Sequence, residues 1–527
     1  MIKKSGYATL ALLIIFLSAC AIRKPLSSTT TPTAPAPVPQ PDSSAPLKIA
    51  EARALLDRGG YIHLRRAFEL YREAESLVPL DAGIAEKYLR TSLLCDLRAK
   101  ELGVFNDSYL KTARRLIEAY LSLAYYGTFA DIASAFNVKI AGVLNDGPDQ
   151  DAVVSPSQNL PKTDDAFLAA ARHDPFFALF RIALRIAFPA AALDEQELHT
   201  VRDLFPANLS LKFQLSSIPP GDPKLWDEIL NADPEYYEAH AARGERALAE
   251  KRILSAEEDL LKAHGAVPES PLLPIRLASI HFVLEEYDLC LEFYEKTLQA
   301  KPEYKEAELG KAISLSCLGR AAEAVPVLEA LIKTGPALRG ECYYWLAANQ
   351  RELSDLASAA ASIEAAKPLL LRSQVFTLSG LIALERSFVD QAEEDFKEAI
   401  RINPLDEEAF FQLGKIYAQK KAWDESGLNF MMAAYGYERE EKELEDMAVQ
   451  IQESSMAEER KAKLLLRKKT QIERARLTKA TASYNAAAGF YNSGDPTRAR
   501  VWAERSALHP FFTAKAKDFL ILITSRK

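Results

Sequence analysis

Histidine and cysteine are scarce in this chain of 527 residues, which holds seven of the first and five of the second. The histidines are dispersed, with no His-x-x-x-His or Glu-x-x-His pair to hold a metal ion. Cys95, Cys290, Cys317 and Cys342 stand far apart, without the spacing of a metal knuckle or a disulfide framework. Cys290 takes a small-residue packing position in its unit, which suits a buried free thiol, and a Cys317–Cys342 bridge is open in an oxidising compartment. No phosphate-binding loop, nucleophile elbow or dinucleotide fingerprint is present. Acidic neighbours such as Glu257 and Glu258, or Glu393 and Glu394, point about 100° apart on a helix, so they do not converge as an acid–base pair. Nothing here calls for catalysis, a metal or another cofactor. Charge of one sign is lacking too: 65 Lys and Arg against 73 Asp and Glu leave no basic patch, which excludes a nucleic-acid surface. The apolar run Phe176 to Ala192 is short for a membrane span and carries Arg181 and Arg185.

Proline, by contrast, recurs with a period. Pro234, Pro268, Pro302 and Pro336 are 34 residues apart, and Pro404 follows two periods later. Each closes a helix-length apolar pattern, because proline cannot continue a helix. Upstream of each proline a small residue marks the first of two helices: Gly244, Ala278, Ala312, Ala347, Gly380 and Gly414. Twelve positions on comes a second small or apolar residue, such as Ala256, Cys290 or Ala392, and four beyond that a bulky one, such as Leu260, Tyr294 or Phe396. Small residues let two antiparallel helices approach, and the bulky one fills the space towards the next pair.

This spacing and residue order resemble the tetratricopeptide repeat, a 34-residue helix–turn–helix unit. The clearest copies run from Gln374 to Pro404 and from Glu408 to Glu438; the unit from Gly340 to Leu370 is one residue out of step. The resemblance implies an all-α fold, a right-handed α-solenoid, with an irregular helical N-terminal part.

Ahead of it, residues 1–19 read as a signal peptide: Lys3 and Lys4, then the apolar run Ala8 to Leu17. Leu17-Ser18-Ala19-Cys20 resembles the lipobox of bacterial lipoproteins, which implies that Cys20 becomes the acylated first residue, carrying palmitate-type chains on the membrane. An ordinary secretory signal or an uncleaved anchor is the alternative. Ala21 resembles the pattern exported to the outer membrane, with the protein facing the periplasm. Residues 20–46 are Pro, Ser, Thr and Ala, an extended spacer reaching on the order of 75 Å.

Residues 47–104 read as degenerate repeat helices turned at Gly59-Gly60, and 105–222 as an irregular apolar segment. The latter is expected to hold a helix from Tyr109 to about Val138, apolar nearly all round, a polar loop Asn145 to Asp165, and a greasy helix Phe176 to Ala192. Its aromatics, from Tyr120 to Phe188, form either core or the lining of a ligand cavity. Residues 223–437 hold the repeat array. Residues 438–480 form a charged helix or a hairpin: 438–459 has nine acids and two bases, 460–480 nine bases and one acid. Ser455 and Glu458 have capping-box spacing, and such charge runs are ordinarily solvated faces. Residues 481–527 add one more unit and a capping helix.

In the repeat family the first helix of each unit lines the concave groove. Mapped onto this chain, that implies a partner-binding groove formed by Ile275, Phe282, Ile313 and Tyr344, continued by Leu381, Leu384 and Phe411. The basic and Asn residues of a carboxylate clamp are replaced by Arg276, Gly310, Trp345, Leu378 and Gln412, so the groove should favour apolar segments. Alternatively these side chains only pack against neighbouring helices. The function expected is an envelope-tethered scaffold that binds other envelope proteins in this groove. The alternative is a periplasmic ligand-binding component of a transport or lipid-handling system, with its cavity in 106–220.

Overall fold

Pairing of antiparallel helices begins at the first residues that the computed structural model describes. Those residues are 44–104, 106–120, 123, 126, 174–187, 203–216 and 222–525, and their regular elements are all helical. The signal, Cys20 and the spacer up to residue 43 lie outside them. Helix α1 (Ser44–Arg58) takes in Ser44 to Pro46, read above as spacer; proline is at home in a first helical turn, where its missing N–H has no partner to lose. A turn at Gly59, where φ is +73°, returns the chain into α2 (Tyr61–Leu77).

Helix α3 (Ala82–Glu101) is capped by the Asp81 side chain on the Ile84 N–H. Helix α4 (Asp107–Ala119) stops well short of Val138. Tyr120 is extended, and its hydroxyl donates to the Leu80 carbonyl at 2.9 Å, which fixes the chain at the helix end. Nor is α4 apolar all round: it buries Tyr109, Ala113 and Leu116 and shows its other face to solvent. Helix α5 is Pro175–Ala187; the expected loop Asn145 to Asp165 and the stretch 188–192 lie outside the described residues. Tyr126, Phe176, Phe177 and Phe180 pack ring on ring, with centroids 4.9–6.0 Å apart, as core. Tyr125, Phe129, Phe136 and Phe188 are not described. Helices α6 (Leu209–Ser216) and α7 (Pro223–Ala232) lead into the array.

The array is a succession of helix pairs, α8 (Tyr237–Ala249) with α9 (Ile253–Ala266), α10 (Leu272–Val283) with α11 (Tyr287–Ala300), and α12 (Lys305–Cys317) with α13 (Ala321–Thr334). Then come α14 (Arg339–Glu352) with α15 (Leu356–Ala366), and α16 (Ser373–Glu385) with α17 (Val389–Ile402). Each helix packs on its partner and on the next unit, which is the nearest-neighbour stacking of a tetratricopeptide-repeat solenoid. The small-to-bulky register is visible directly: a Cβ placed on Gly380 would lie 2.6 Å from the Phe396 ring, and one on Gly244 would lie 2.8 Å from Leu260.

Every leading helix of the array ends the same way. One residue with φ near +60 to +70° follows it, at Lys251, Glu285, Gly319, Ser354, Ser387 and Lys421. The next N–H then reaches back to a carbonyl of the last turn, as Glu286 N does to His281 O at 2.8 Å and Phe388 N to Ala383 O at 2.8 Å. These are Schellman closures, and five of the six use a residue other than glycine, at a cost of about 1 kcal/mol each. The out-of-step unit has its cause in a 3₁₀ turn, Pro336–Leu338, inserted before α14.

Residues 438–480 are a hairpin whose arms are continuous with the repeats on either side. Helix α18 (Glu407–Gln419) pairs with the start of α19 (Trp423–Glu453), and the end of α20 (Glu458–Asn492) pairs with α21 (Pro496–Ser506); α22 (Pro510–Ser525) caps the stack. The arms cross closely at Gly427 and Gly489, where a Cβ on Gly489 would meet the Gly427 nitrogen at 2.7 Å. The opposite charges of the arms pair across the hairpin, Arg476 with Glu441 and Glu445 at 2.7 Å each. The capping box expected of Ser455 and Glu458 does not form, because α20 starts after Ala457 with no side-chain cap. Among the described residues no helix is long and apolar enough to cross a membrane.

Candidate functional site

The leading helices α10, α12, α14, α16 and α18 carry the seven residues expected in the groove, and those residues differ in how free they are. Phe282 is 36% exposed, its ring edge-on to Tyr287 at 5.6 Å. Ile275 is half-buried beside Tyr304 and Ala307, and Ile313 is half-buried against Leu309 and Leu346. Tyr344 lies edge-on to Trp345 at 5.5 Å, and burial pushes its phenol up. Leu381 and Leu384 lean on the cluster around Phe396 and Leu413. Phe411 packs against Phe430 at 5.3 Å and Tyr437 at 6.3 Å. Six of the seven are therefore held on one flank by their own or the next unit and open on the other. Such side chains offer apolar contact area already fixed in orientation, so a bound segment would lose little rotamer entropy on their account.

Charged rungs join successive leading helices on the same elements: Arg276 to Glu245 at 2.9 Å, Arg372 to Glu341 at 2.5 Å, and Arg351 to Glu385 at 2.6 Å. Their side chains are 25–58% exposed, so each adds little stability. They bridge two of the unit junctions, α8 to α10 and, twice, α14 to α16.

A second assembly was not legible as a site. The tip of the α19–α20 hairpin is seated on α9, α10 and the turn between α10 and α11. Arg460 reaches Glu257 at 2.8 Å and Glu286 at 2.9 Å. Arg467 donates to the Glu285 carbonyl at 2.6 Å, and Lys468, its side chain only 3% exposed, pairs with Glu285 at 2.9 Å. Gln471 donates to the same carboxylate. Ile451 and Leu464 are fully buried in the core that α8 to α11 share with the N-terminal helices. Burial alone would raise the Glu286 carboxyl, but hydrogen bonds from Arg460 and His281 outweigh it and hold it at about 2. The charge run is thus not merely a solvated face. The opposite signs of its halves suited one long helix as well as a hairpin, Glu285 is 183 residues from Lys468, and no local pattern announces the seat.

Two polar clusters bear on cation chemistry and acidity. His63, Asp233 and Glu235 converge, with His63 Nε2 3.1 Å from Asp233 Oδ2. The guanidinium of Arg58 already contacts both carboxylates, Asp233 at 2.8 Å and Glu235 at 3.4 Å, so the group reads as an ion pair tying α1 and α2 to the array. Arg98 is fully buried and bonds Glu101, Gln214 and Ser210. Beside it Glu238 accepts from the Tyr61 N–H at 2.6 Å, and burial pushes its carboxyl up to about 7. Cys95, Cys290 and Cys342 are buried free thiols and Cys317 is a half-buried one.

No protein-family model matches the chain. The chain is 24% identical over 200 residues to the human protein O-mannosyl-transferase TMTC1, a stretch that is 36% of this chain and 22% of that protein. Among solved structures, MamA 41-end from Desulfovibrio magneticus RS-1 is 18% identical with a TM-score of 0.30, covering 32% of this chain and 96% of its own. YrrB, a TPR protein with an unusual peptide-binding site, is 16% identical with a TM-score of 0.30 and covers 38% of this chain and all of its own. TTC0263, a thermophilic TPR protein in Thermus thermophilus, is 21% identical with a TM-score of 0.28, covering 32% of this chain and 91% of its own. Scores this low carry no weight, and the fold rests on the geometry above.

Proposed function

We propose that the chain is a scaffold of the bacterial envelope, tethered to the outer membrane through a lipid on Cys20 and facing the periplasm, that holds other envelope proteins against the leading-helix face of its solenoid. The observation that carries the reading is the row of half-open apolar side chains on successive leading helices. A repeated, rigid, partly apolar row matches the way solenoids hold extended or helical segments of other proteins. The solid ring packing of Tyr126, Phe176, Phe177 and Phe180 favours this over a ligand cavity in 106–220.

Two experiments test it. Cys20→Ser should move the protein from the membrane to the soluble fraction with its helicity intact; retention on membranes after a high-salt wash refutes the tether. Phe282→Ser should weaken partner capture at least tenfold if Phe282 is an anchor, with melting barely changed because that ring is already 36% exposed. Full capture by that variant removes Phe282 from the binding surface.

A further inference from the structure

We propose that the seat on α9, α10 and the α10–α11 turn is an exchangeable docking site for a basic amphipathic helix, filled in this structure by the chain's own α20, and that a partner bearing such a helix takes the seat and frees the hairpin. The seat adjoins the end of α10 that carries Phe282 and is built for cations. It presents three carboxylates, Glu257, Glu285 and Glu286, together with the carbonyls of Leu284 and Glu285 at the C-terminal end of α10, where the helix dipole adds negative potential.

The occupant shows what fits. Arg460, Arg467, Lys468 and Gln471 fall at intervals of seven, eight and eleven residues, one face of a helix, and Leu464 on the same turns supplies a buried apolar anchor. A partner helix with Arg or Lys at that spacing and a Leu-type residue between them meets the same acceptors. Charge complementarity therefore selects a basic helix over an acidic or uncharged one.

The seated tip is also separable from the rest of the fold. The tip does not pack helix against helix onto α9–α11 as neighbouring repeats do; side chains reach across, and Ile451 and Leu464 are the buried apolar contacts that lifting the tip exposes. Its base is held independently, by Arg476 on Glu441 and Glu445, by Arg498 on Asp424, and by the Gly427–Gly489 crossing. Lifting the tip leaves these contacts whole. While it is seated, α19 and α20 bridge from the end of the array back to α10, so the units between are bounded by the hairpin.

The test uses the full chain with spectroscopic labels on noncanonical residues at Glu459 and Asp288, both exposed. In the wild type one short distance is expected between them. The variant Arg460→Glu with Lys468→Glu should give a broad, longer distribution with unchanged helicity, and adding Glu285→Lys with Glu286→Arg should restore the short one. Because the tether holds the tip at an effective concentration of the order of millimolar, competition in trans is measured on the opened variant. A synthetic peptide of residues 456–474 should bind that variant, and at least tenfold more weakly when its Arg460, Arg467 and Lys468 are replaced by Glu. The proposal is overturned if the charge-reversed tip stays seated, if that variant loses its cooperative melt, or if the opened variant ignores the peptide.

Discussion

Replacing Gly380 by alanine is the smallest change that questions how the units pack. The new methyl would lie 2.6 Å from Phe396 Cε1, about 0.8 Å inside an ordinary contact. The ring cannot yield cheaply, since Phe396 is fully buried among Ala399, Ala409 and Leu413. Overpacking of this kind costs roughly 1–3 kcal/mol, and alanine recovers about 1 kcal/mol of helix propensity over glycine. The net expectation is a loss of about 0–2 kcal/mol. Gly265→Ala is the control of opposite sign: it sits in α9 with nothing within 4 Å of the added carbon, so propensity alone should stabilise by roughly 0.5–1 kcal/mol. A solenoid need not unfold in one step, so the assay is native-state hydrogen exchange read unit by unit, beside urea denaturation. Loss should centre on α16 and α17, and Phe396→Leu should relieve part of it in the double variant. If Gly380→Ala stabilised as Gly265→Ala does, the close crossing of α16 and α17 would be refuted.

Lys421→Gly should stabilise by roughly 0.5–1 kcal/mol, because φ there is +59° and glycine adopts it without strain; thermal melting checks this, and a loss would mean that the lysine side chain matters more than the backbone. Glu238 predicts a pH effect. Its folded pKa, about 7, lies above the usual carboxyl value of 4.5, so the folded state holds the proton more tightly and stability falls as pH rises from 4.5 through 7. Glu238→Gln should flatten that part of the pH–stability curve, and an unchanged curve would assign the slope to other groups. Glu286, held at about 2, acts in the opposite sense: its contribution is complete above pH 4.5 and fades as pH falls towards 2, so Glu286→Gln should reduce the acid sensitivity of the seated hairpin.

The repeat units were readable because the residues that define them lie close in sequence. Gly380 and Phe396 belong to one helix pair, so their spacing alone announces the crossing. The turns were less legible: Lys251, Glu285, Ser354, Ser387 and Lys421 adopt positive φ without being glycine, held there by the Schellman bonds of a structure that tolerates the strain. An apolar pattern past Tyr109 suggested one long helix, yet a hydrogen bond to Leu80, 40 residues upstream, ends it at Ala119. The two charge blocks fitted one long helix as well as a hairpin, so the break at Ser454 was not decided by sequence, and the seat, 174 residues away between Arg460 and Glu286, was not legible at all. The seven residues expected in the groove lie on leading helices, but the repeat register does not say how far each side chain is covered by its neighbours. Phe411, for one, is half-buried by rings from α19.

Site-specific photocrosslinking tests the scaffold reading most directly. A photoreactive residue at 344 or 384, on leading helices α14 and α16, is compared with one at 329 or 361, exposed positions on trailing helices α13 and α15. The leading-helix probes should give the same discrete partner adduct, lost when the purified partner is omitted, and the trailing-helix probes should give none. Equal adducts from both faces, or adducts from the trailing face alone, would contradict a solenoid that works through its leading helices.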